Sequence, residues 1–343
     1  MDIQKWQIGV VGAGYFAQLH HEAWQRSQMT SLVGIADRNP QAMSASHIPR
    51  YASLTDLLLI HDIDVLDIVT PPSTHAKLIT QAIAAGVTHI ICQKPFCNSL
   101  AEAQDITKQA IQAGAQIVIH ENFRHQPWYR ALRAEIDENR FGDLYQLRFA
   151  LRPGDGRGPE AYKARQPYFQ QMPRFLVHET AIHFLDVFRY LFGKPMSVYA
   201  DLRKLNPVIK GEDAGLIIME FDNNKRAIFD GNRLSDHKAA NPRLTMGEAW
   251  LETQAGEVKL TGDGALHLRP HGQMTETCLL QPYQTTGNPS DFGGDCVFLT
   301  CEHIISSWSQ GINPENVAQD YLSLMGLVEK AYQSASEGRR IIL

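Results

Sequence analysis

Cysteine is scarce in this 343-residue chain, with only Cys92, Cys97, Cys278, Cys296 and Cys301 present. Their odd number, and the lack of any Cys-x-x-Cys or Cys/His ligand spacing, argue against a disulfide framework and against a zinc or other metal site. Also missing is an uncharged apolar run of about 18 residues that could span a bilayer. No charged and then apolar leader precedes the first strand-like run, Gln7 to Val11, so the expectation is a cytoplasmic chain with reduced thiols. Basic charge is not in excess either. Lys and Arg total 32 against 37 Asp and Glu, a formal charge of -5, which argues against nucleic acid or an anionic membrane as the main partner and for a small soluble ligand. The chain has no internal repeat and no low-complexity segment.

What is present is length enough for two cores of roughly 120 to 200 residues each. Up to residue 120, short apolar runs (7–11, 32–36, 65–69, 88–92, 116–120) alternate with helix-like runs (16–28, 54–60, 74–85, 100–113). Gly86 and Gly114 stand at expected helix C-caps and Ser99 at an expected N-cap. This alternation predicts a doubly wound parallel sheet of the Rossmann type over residues 1–122. A different rhythm follows: a helix over 128–138, a strand over 144–151, a Gly, Pro and Arg-rich loop to 174, and a helix over 175–192. Short β runs separated by turn residues then extend to about 280, before helical signals at 295–309 and 316–336. Residues 123–343 are therefore expected to form an α+β domain with a large, mostly antiparallel open sheet, its C-terminal helix free to pack back on the first domain.

The sequence "IGVVGAGYFAQLHHEAW" places Gly12, Gly14 and Ala17 as Gly-x-Gly-x-x-Ala between a strand and a helix. In that context the first glycine permits a tight turn, the second lets backbone approach a pyrophosphate, and Ala17 keeps helix and strand close. Asp37 ends the second strand, where a carboxylate accepts hydrogen bonds from an adenosine ribose and repels a 2′-phosphate, favouring NAD. Arg38 beside it could accommodate that phosphate, so NADP stays open. For Tyr15 and Phe16, packing on the adenine side and a specific cofactor contact are equal readings. Further along, "HIICQKPFC" ends an apolar strand on Gln93, Lys94 and Pro95. Strand ends of open α/β sheets are where ligands bind, and Pro95 biases Lys94 away from the α region and permits a cis bond.

Four motifs in order resemble the Gfo/Idh/MocA oxidoreductases, a family that includes glucose-fructose oxidoreductase and inositol dehydrogenases. They are the Gly12 to Ala17 loop, "TPPSTHAKLITQAIAAG" (70–86), "CQKP" (92–95) where the family usually has Glu-Lys-Pro, and "HETAIHFLD" (178–186) where it often has Asp-x-Gly-x-x-His-x-x-Asp. The C-terminal "EKAYQSASEGRRIIL" is similar to the family's ending as well. The resemblance implies an NAD(P)-dependent dehydrogenase acting on a secondary alcohol of a sugar, sugar acid or cyclitol. It implies that Lys94 binds the substrate hydroxyl and tunes its proton, with His183 as general base; histidine titrates near neutrality, which suits that task. It further places Thr70, Pro71 and His75 beside the cofactor. In "HENFRHQPW" (120–128), which follows the last Rossmann-type strand, Glu121 and Asn122 are candidate contacts of the nicotinamide ribose or carboxamide, and Arg124 reads as structural.

Read as one helix, 175–192 puts Glu179, His183 and Asp186 at i, i+4 and i+7 on one face. Glu179 stands where the family often has Asp, one methylene shorter. Asp186 has two equal readings, orienting the imidazole or substrate, or pairing with Arg189. The loop 152–174 carries Arg152, Arg157, Lys163, Arg165 and Arg174. Arg157 and Arg165 are candidate clamps for an acidic substrate, against the alternative of a salt-bridged surface. Gln93 also has two readings. On opposite faces, Gln93 and Lys94 are independent; if they communicate, loss of the family's carboxylate favours a neutral amine. Two other functions stay open, an NAD-dependent glycoside hydrolase of similar fold and a dinucleotide-binding sensor without turnover. The resemblance also implies a homodimer or homotetramer paired through the second domain's sheet.

Overall fold

A computed structural model of the chain describes residues 5–39 and 47–343. The chain divides into two compact units, 1–122 with 297–323 and 123–296 with 324–343. Residues 297–323 thus group with the first unit, whereas the sequence reading assigns them to the second.

In the first unit, β1 (Trp6–Val11), β2 (Thr30–Ala36), β3 (Arg50–Tyr51), β4 (Val65–Ile68), β5 (His89–Gln93) and β6 (Gln116–His120) pair in parallel, in the order β3-β2-β1-β4-β5-β6. Helices α1 (Ala17–Arg26), α2 (Leu54–Ile60), α3 (His75–Ala84) and α4 (Leu100–Gln112) alternate with the strands. Strands covered on both faces read as continuous apolar runs, and every residue of β4 is buried, as are Ile90 to Gln93 and Ile117 to His120. Ser99 caps α4 by accepting from the Glu102 N–H at 3.2 Å, and Gly86 and Gly114 end α3 and α4 at φ +86° and +71°, a region that costs a side chain strain. The order reverses between β1 and β4, so the loops after Val11 and Ile68 open at the switch point where such sheets bind ligands.

In the second unit, α5 (Pro127–Asp137) and β7 (Leu144–Leu151) precede α6 (Ile182–Phe192). There follow β8 (Pro195–Arg203), β9 (Ala214–Phe221), β10 (Arg226–Asn232), β11 (Gly247–Thr253), β12 (Gly256–Leu260), β13 (Leu266–Pro270) and β14 (Thr277–Leu280). After α7 (Cys296–Ser309), which groups with the first unit from Val297 onward, and α8 (Ala318–Glu337), β15 (Ile341–Ile342) completes a nine-stranded sheet ordered β14-β13-β12-β11-β7-β10-β9-β8-β15. Among the described residues of this sheet only β7 and β10 pair in parallel. Burial alternates along β10, β11 and β12, as a sheet with one covered face requires. On that face Phe149 stacks on Phe184 of α6 at 3.9 Å between centroids, with Phe229 at 5.5 Å from Phe184. On the other face the register aligns Tyr199, Ile218, Ile228, Arg148, Trp250, Lys259 and His267 as one row.

The span read as one helix over 175–192 is not uniform. Residues Leu176–Ala181 form a π-helical turn, and regular α-helix begins at Ile182. A wider turn changes the phase of side chains before it relative to those after it, so Glu179 lies in a different helical geometry from His183 and Asp186, which share the regular helix. No helix among the described residues is long and apolar enough to cross a membrane. All five cysteines are free thiols.

Candidate active-site residues

Backbone geometry explains both glycines of the first loop. Gly12 has φ +121°, and a Cβ there would lie 2.1 Å from the Val69 carbonyl oxygen, so no other residue fits without moving the strand end. A Cβ on Gly14 would meet no atom within 4 Å; its open, exposed surface can admit a ligand against bare backbone. No side chain caps the first turn of α1, which leaves the positive end of the helix dipole for an anion. Ala17 is buried, Phe16 half-buried and Tyr15 exposed. Asp37 is half-buried and accepts from the backbone N–H groups of Ala13 (2.7 Å) and Asn39 (2.7 Å). It therefore braces the glycine loop from the end of β2, with exposed Arg38 next to it. These features fit the pyrophosphate and ribose of a dinucleotide.

Thr70 and Pro71 follow the end of β4, and the Thr70 and Thr74 hydroxyls share a 2.7 Å hydrogen bond. His75 is fully buried. Its Nε2 lies 2.7 Å from the Thr70 carbonyl and its Nδ1 3.0 Å from that of Phe96, so it ties the loop after β4 to the segment after Lys94. Burial lowers its pKa against the raising pull of those carbonyls. Asn122 is buried at the end of the first unit. Beside it, Glu121 accepts from the Tyr321 hydroxyl at 3.1 Å.

The Lys94–Pro95 peptide bond is cis, and Lys94 itself is half-buried. The Gln93 side chain meets the Lys94 backbone. The Lys94 N–H donates to Gln93 Oε1 at 2.7 Å. Behind Gln93 runs a chain that sequence reasoning missed. Gln93 Nε2 is 3.0 Å from His20 Nε2, His20 Nδ1 is 2.8 Å from Asp67 Oδ2, and Trp24 Nε1 donates to the same oxygen at 2.7 Å. His20, Trp24 and Asp67 are all buried. Burial alone would raise the Asp67 carboxyl; the pull of the His20 ring and the hydrogen bonds from His20 and Trp24 outweigh it, and the pKa falls. The available signal was position. His20 and Trp24 share the buried stripe of α1 with Ala17 and Ala23, where a histidine needs partners.

His120 stacks on His20 at 4.2 Å between centroids, and Cys301 Sγ lies 3.7 Å from His120 Nε2. His20, His120 and Cys301 bring ligand-type atoms within 4.8 Å of one another. Both nitrogens of His20 are already engaged, so the cluster is a hydrogen-bonded core.

In the second unit, His183 is buried at 5% exposure and stacked on Phe123, 4.0 Å between centroids and 9° between planes. Asp186 is fully buried, and Arg124 grips both its oxygens at 2.8 and 2.6 Å. The bidentate partner is Arg124, from the 3-10 turn Phe123–His125. Glu179 is half-buried in the π-helical turn. Packing around Phe123 and the Arg124 fork thus fixes the first turn of α6, one by ring stacking and one by charge.

Basic groups of the 152–174 loop are matched to carboxylates. Arg157 pairs with Asp236 at 3.0 Å, both exposed, and Arg165 with Asp155 at 3.2 Å. Arg152 pairs with Asp230, Lys163 with Glu160, and Arg174 with Glu329. Arg233, unpredicted and 2% exposed, forks onto Asp155 and also donates to Tyr162 and Thr180 hydroxyls. Burial opposes the Arg233 charge, but Asp155 holds its pKa above the ordinary value. Around it Tyr162, Phe169 and Phe175 form a small core with Ile209. The loop is a folded structure whose basic groups are paired with carboxylates within it and in neighbouring strands and helices.

Residues 6–121 match the oxidoreductase family with an NAD-binding Rossmann fold, and residues 129–249 the GFO/IDH/MocA C-terminal domain. The chain is 28% identical to a D-apiose dehydrogenase of Paraburkholderia graminis, covering 99% of this chain and 90% of that protein. It is 26% identical to an inositol 2-dehydrogenase of Rhizobium meliloti, covering 98% of each. Among solved structures, an oxidoreductase from Agrobacterium radiobacter, in complex with NAD+, L-tartaric acid and magnesium, superposes with a TM-score of 0.86. It shares 26% identity and covers 99% of this chain and 98% of that one.

Proposed function

As the chain belongs to the Gfo/Idh/MocA family of NAD-binding oxidoreductases, we propose that it oxidises a secondary alcohol of a sugar, sugar acid or cyclitol, or reduces the matching ketone. The names of its dehydrogenase relatives support that substrate class. Bound NAD supplies the hydride acceptor. Gly12, Gly14 and Ala17 give the pyrophosphate a side-chain-free approach, with Tyr15 and Phe16 on its flank. Asp37 faces the ribose hydroxyls, and its carboxylate disfavours the 2′-phosphate of NADP in spite of Arg38. Thr70, Pro71, Gln93 and Asn122 complete the cofactor contacts, with His75 bracing them from inside.

Lys94 holds the substrate oxygen and polarises its O–H bond, and His183 takes the proton, so that charge does not build on the oxygen as the C–H bond breaks. Glu179 contacts a neighbouring hydroxyl. Asp186, gripped by Arg124, serves by fixing the turn that carries His183. Arg157 and Arg165 are neutralised by Asp236 and Asp155 and are not needed by this reading. The row from Tyr199 to His267 on the outer sheet face, half-buried except for exposed Arg148, suits pairing of two copies, and free thiols suit the cytoplasm.

The single observation that carries the reading is the β5 exit, where Gln93 and Lys94 leave a parallel sheet two strands from the glycine loop. Purified protein incubated with NAD or NADP and a panel of sugars, sugar acids and inositols, followed by absorbance of the reduced cofactor, tests it. Turnover with NAD on at least one polyol is the expected result. Tight dinucleotide binding without turnover on a broad panel would move the reading to the sensor, and cleavage of a glycoside without net NADH to the hydrolase.

A further inference from the structure

Two obligate donors fix the direction of the buried chain behind Lys94. A backbone N–H can only donate, so the atom of Gln93 facing Lys94 N is its carbonyl oxygen, and its NH2 group faces His20. An amide NH2 can only donate in turn, so His20 Nε2 is the bare acceptor nitrogen and its proton sits on Nδ1, pointed at Asp67. Trp24 Nε1–H, at the far end, can also only donate to that carboxylate. The chain therefore runs one way, from Trp24 and His20 into Asp67 and from Lys94 N–H through the Gln93 amide into His20.

We propose that Gln93 is a positioning residue for Lys94: its amide holds the lysine backbone at the strand exit and locks His20 as the neutral Nδ1–H tautomer. A glutamate at 93 could still accept from Lys94 N–H but could not donate to His20. It would turn a second carboxylate on the ring and demand a second ring proton. Glutamine instead leaves one buried carboxylate in the chain. The other titratable groups facing His20 are His120 from β6, Cys301 from α7 and His21 on its own helix. Burial, and then the neighbouring His20, push the His120 pKa down to about 3, and burial lowers that of His21, so both are uncharged at neutral pH.

The role in turnover rests on the dehydrogenase reading; the tautomer does not. The test is 15N NMR of the histidine rings in the full-length protein between pH 6 and 9, assigned with His20→Gln, alongside steady-state kinetics of Gln93→Leu and Gln93→Glu. Wild-type His20 is expected to show a protonated Nδ1 and a bare Nε2. Gln93→Leu, which removes both partners, is expected to lower kcat roughly 10- to 100-fold, the cost of a misplaced reacting group. Gln93→Glu is expected to restore part of that kcat while converting His20 to the doubly protonated pattern and adding an ionisation to the pH profile. A wild-type His20 that is doubly protonated or carries its proton on Nε2 overturns the proposal, as does a Gln93→Leu enzyme with unaltered kcat and pH profile. If the variants fail to fold, the wild-type spectrum still decides. Absence of any turnover together with the expected tautomer would refute the dehydrogenase reading and leave the hydrogen-bonded frame standing.

Discussion

The two units hold their chemistry-bearing residues by opposite means. Lys94 is held through a line of directional hydrogen bonds that ends on one carboxylate, Asp67, with a neutral amide as its link. The turn carrying His183 is held by closed charge pairs, Arg124 with Asp186 beside it and Arg233 with Asp155 under the 152–174 loop. A directional line sets the position and proton content of its members, and one change of donor to acceptor reverses it. A charge pair tolerates loss of neither member, because the survivor is left charged inside the protein.

That contrast can be broken at its strongest point by Arg124→Ala. The variant removes the bidentate fork on the Asp186 carboxylate, which has zero exposure, and the expected loss is about 3–5 kcal/mol of stability, read as a lowered denaturant midpoint. Unchanged stability would mean the pair does not brace the turn.

The first unit should answer to pH. Because the folded pKa of His120 is pushed from 6.5 to about 3 by burial and by His20, the unfolded chain binds a proton that the folded one refuses throughout that window. The stability this residue contributes is full above 6.5 and falls as pH drops through the window, by up to about 1.4 kcal/mol per pH unit. His120→Phe, which keeps an aromatic ring and removes the titration, should flatten that slope in denaturation curves taken from pH 7 to pH 4. A slope identical to wild type would contradict the assignment.

The smallest effect is expected at Arg157→Ala. Its pair with Asp236 is exposed on both sides, and such pairs contribute about 0–1 kcal/mol. Substrate KM should be unaltered too; a large rise in KM for an acidic substrate would restore the anion clamp.

How much of this the sequence carries follows from the range of each interaction. The β4, β5 and β6 strands are legible because burial on both faces leaves continuous apolar runs, and the glycine loop because its geometry is local. The two-residue edge strand β3 is too short to leave a pattern. The π-helical turn over Leu176–Ala181 is hidden because its apolar residues also suit an α-helix, so the phase slip between Glu179 and His183 appears only in the backbone. Least legible are the partners. His20 meets Asp67 across 47 positions and Gln93 across 73, and Arg233 meets Asp155 across 78, distances at which no spacing rule operates. The same reach explains Arg157, whose local setting signals an anion site while its partner Asp236 stands 79 positions away; Arg165 meets Asp155 within its own loop.

The central claim is that the strand exit delivers Lys94 for chemistry. The direct measurement is kcat of Lys94→Ala with the best substrate from the panel, together with its NAD dissociation constant. The account predicts a kcat lowered roughly 100- to 10,000-fold with NAD affinity within a few-fold of wild type. Full turnover by Lys94→Ala would contradict it.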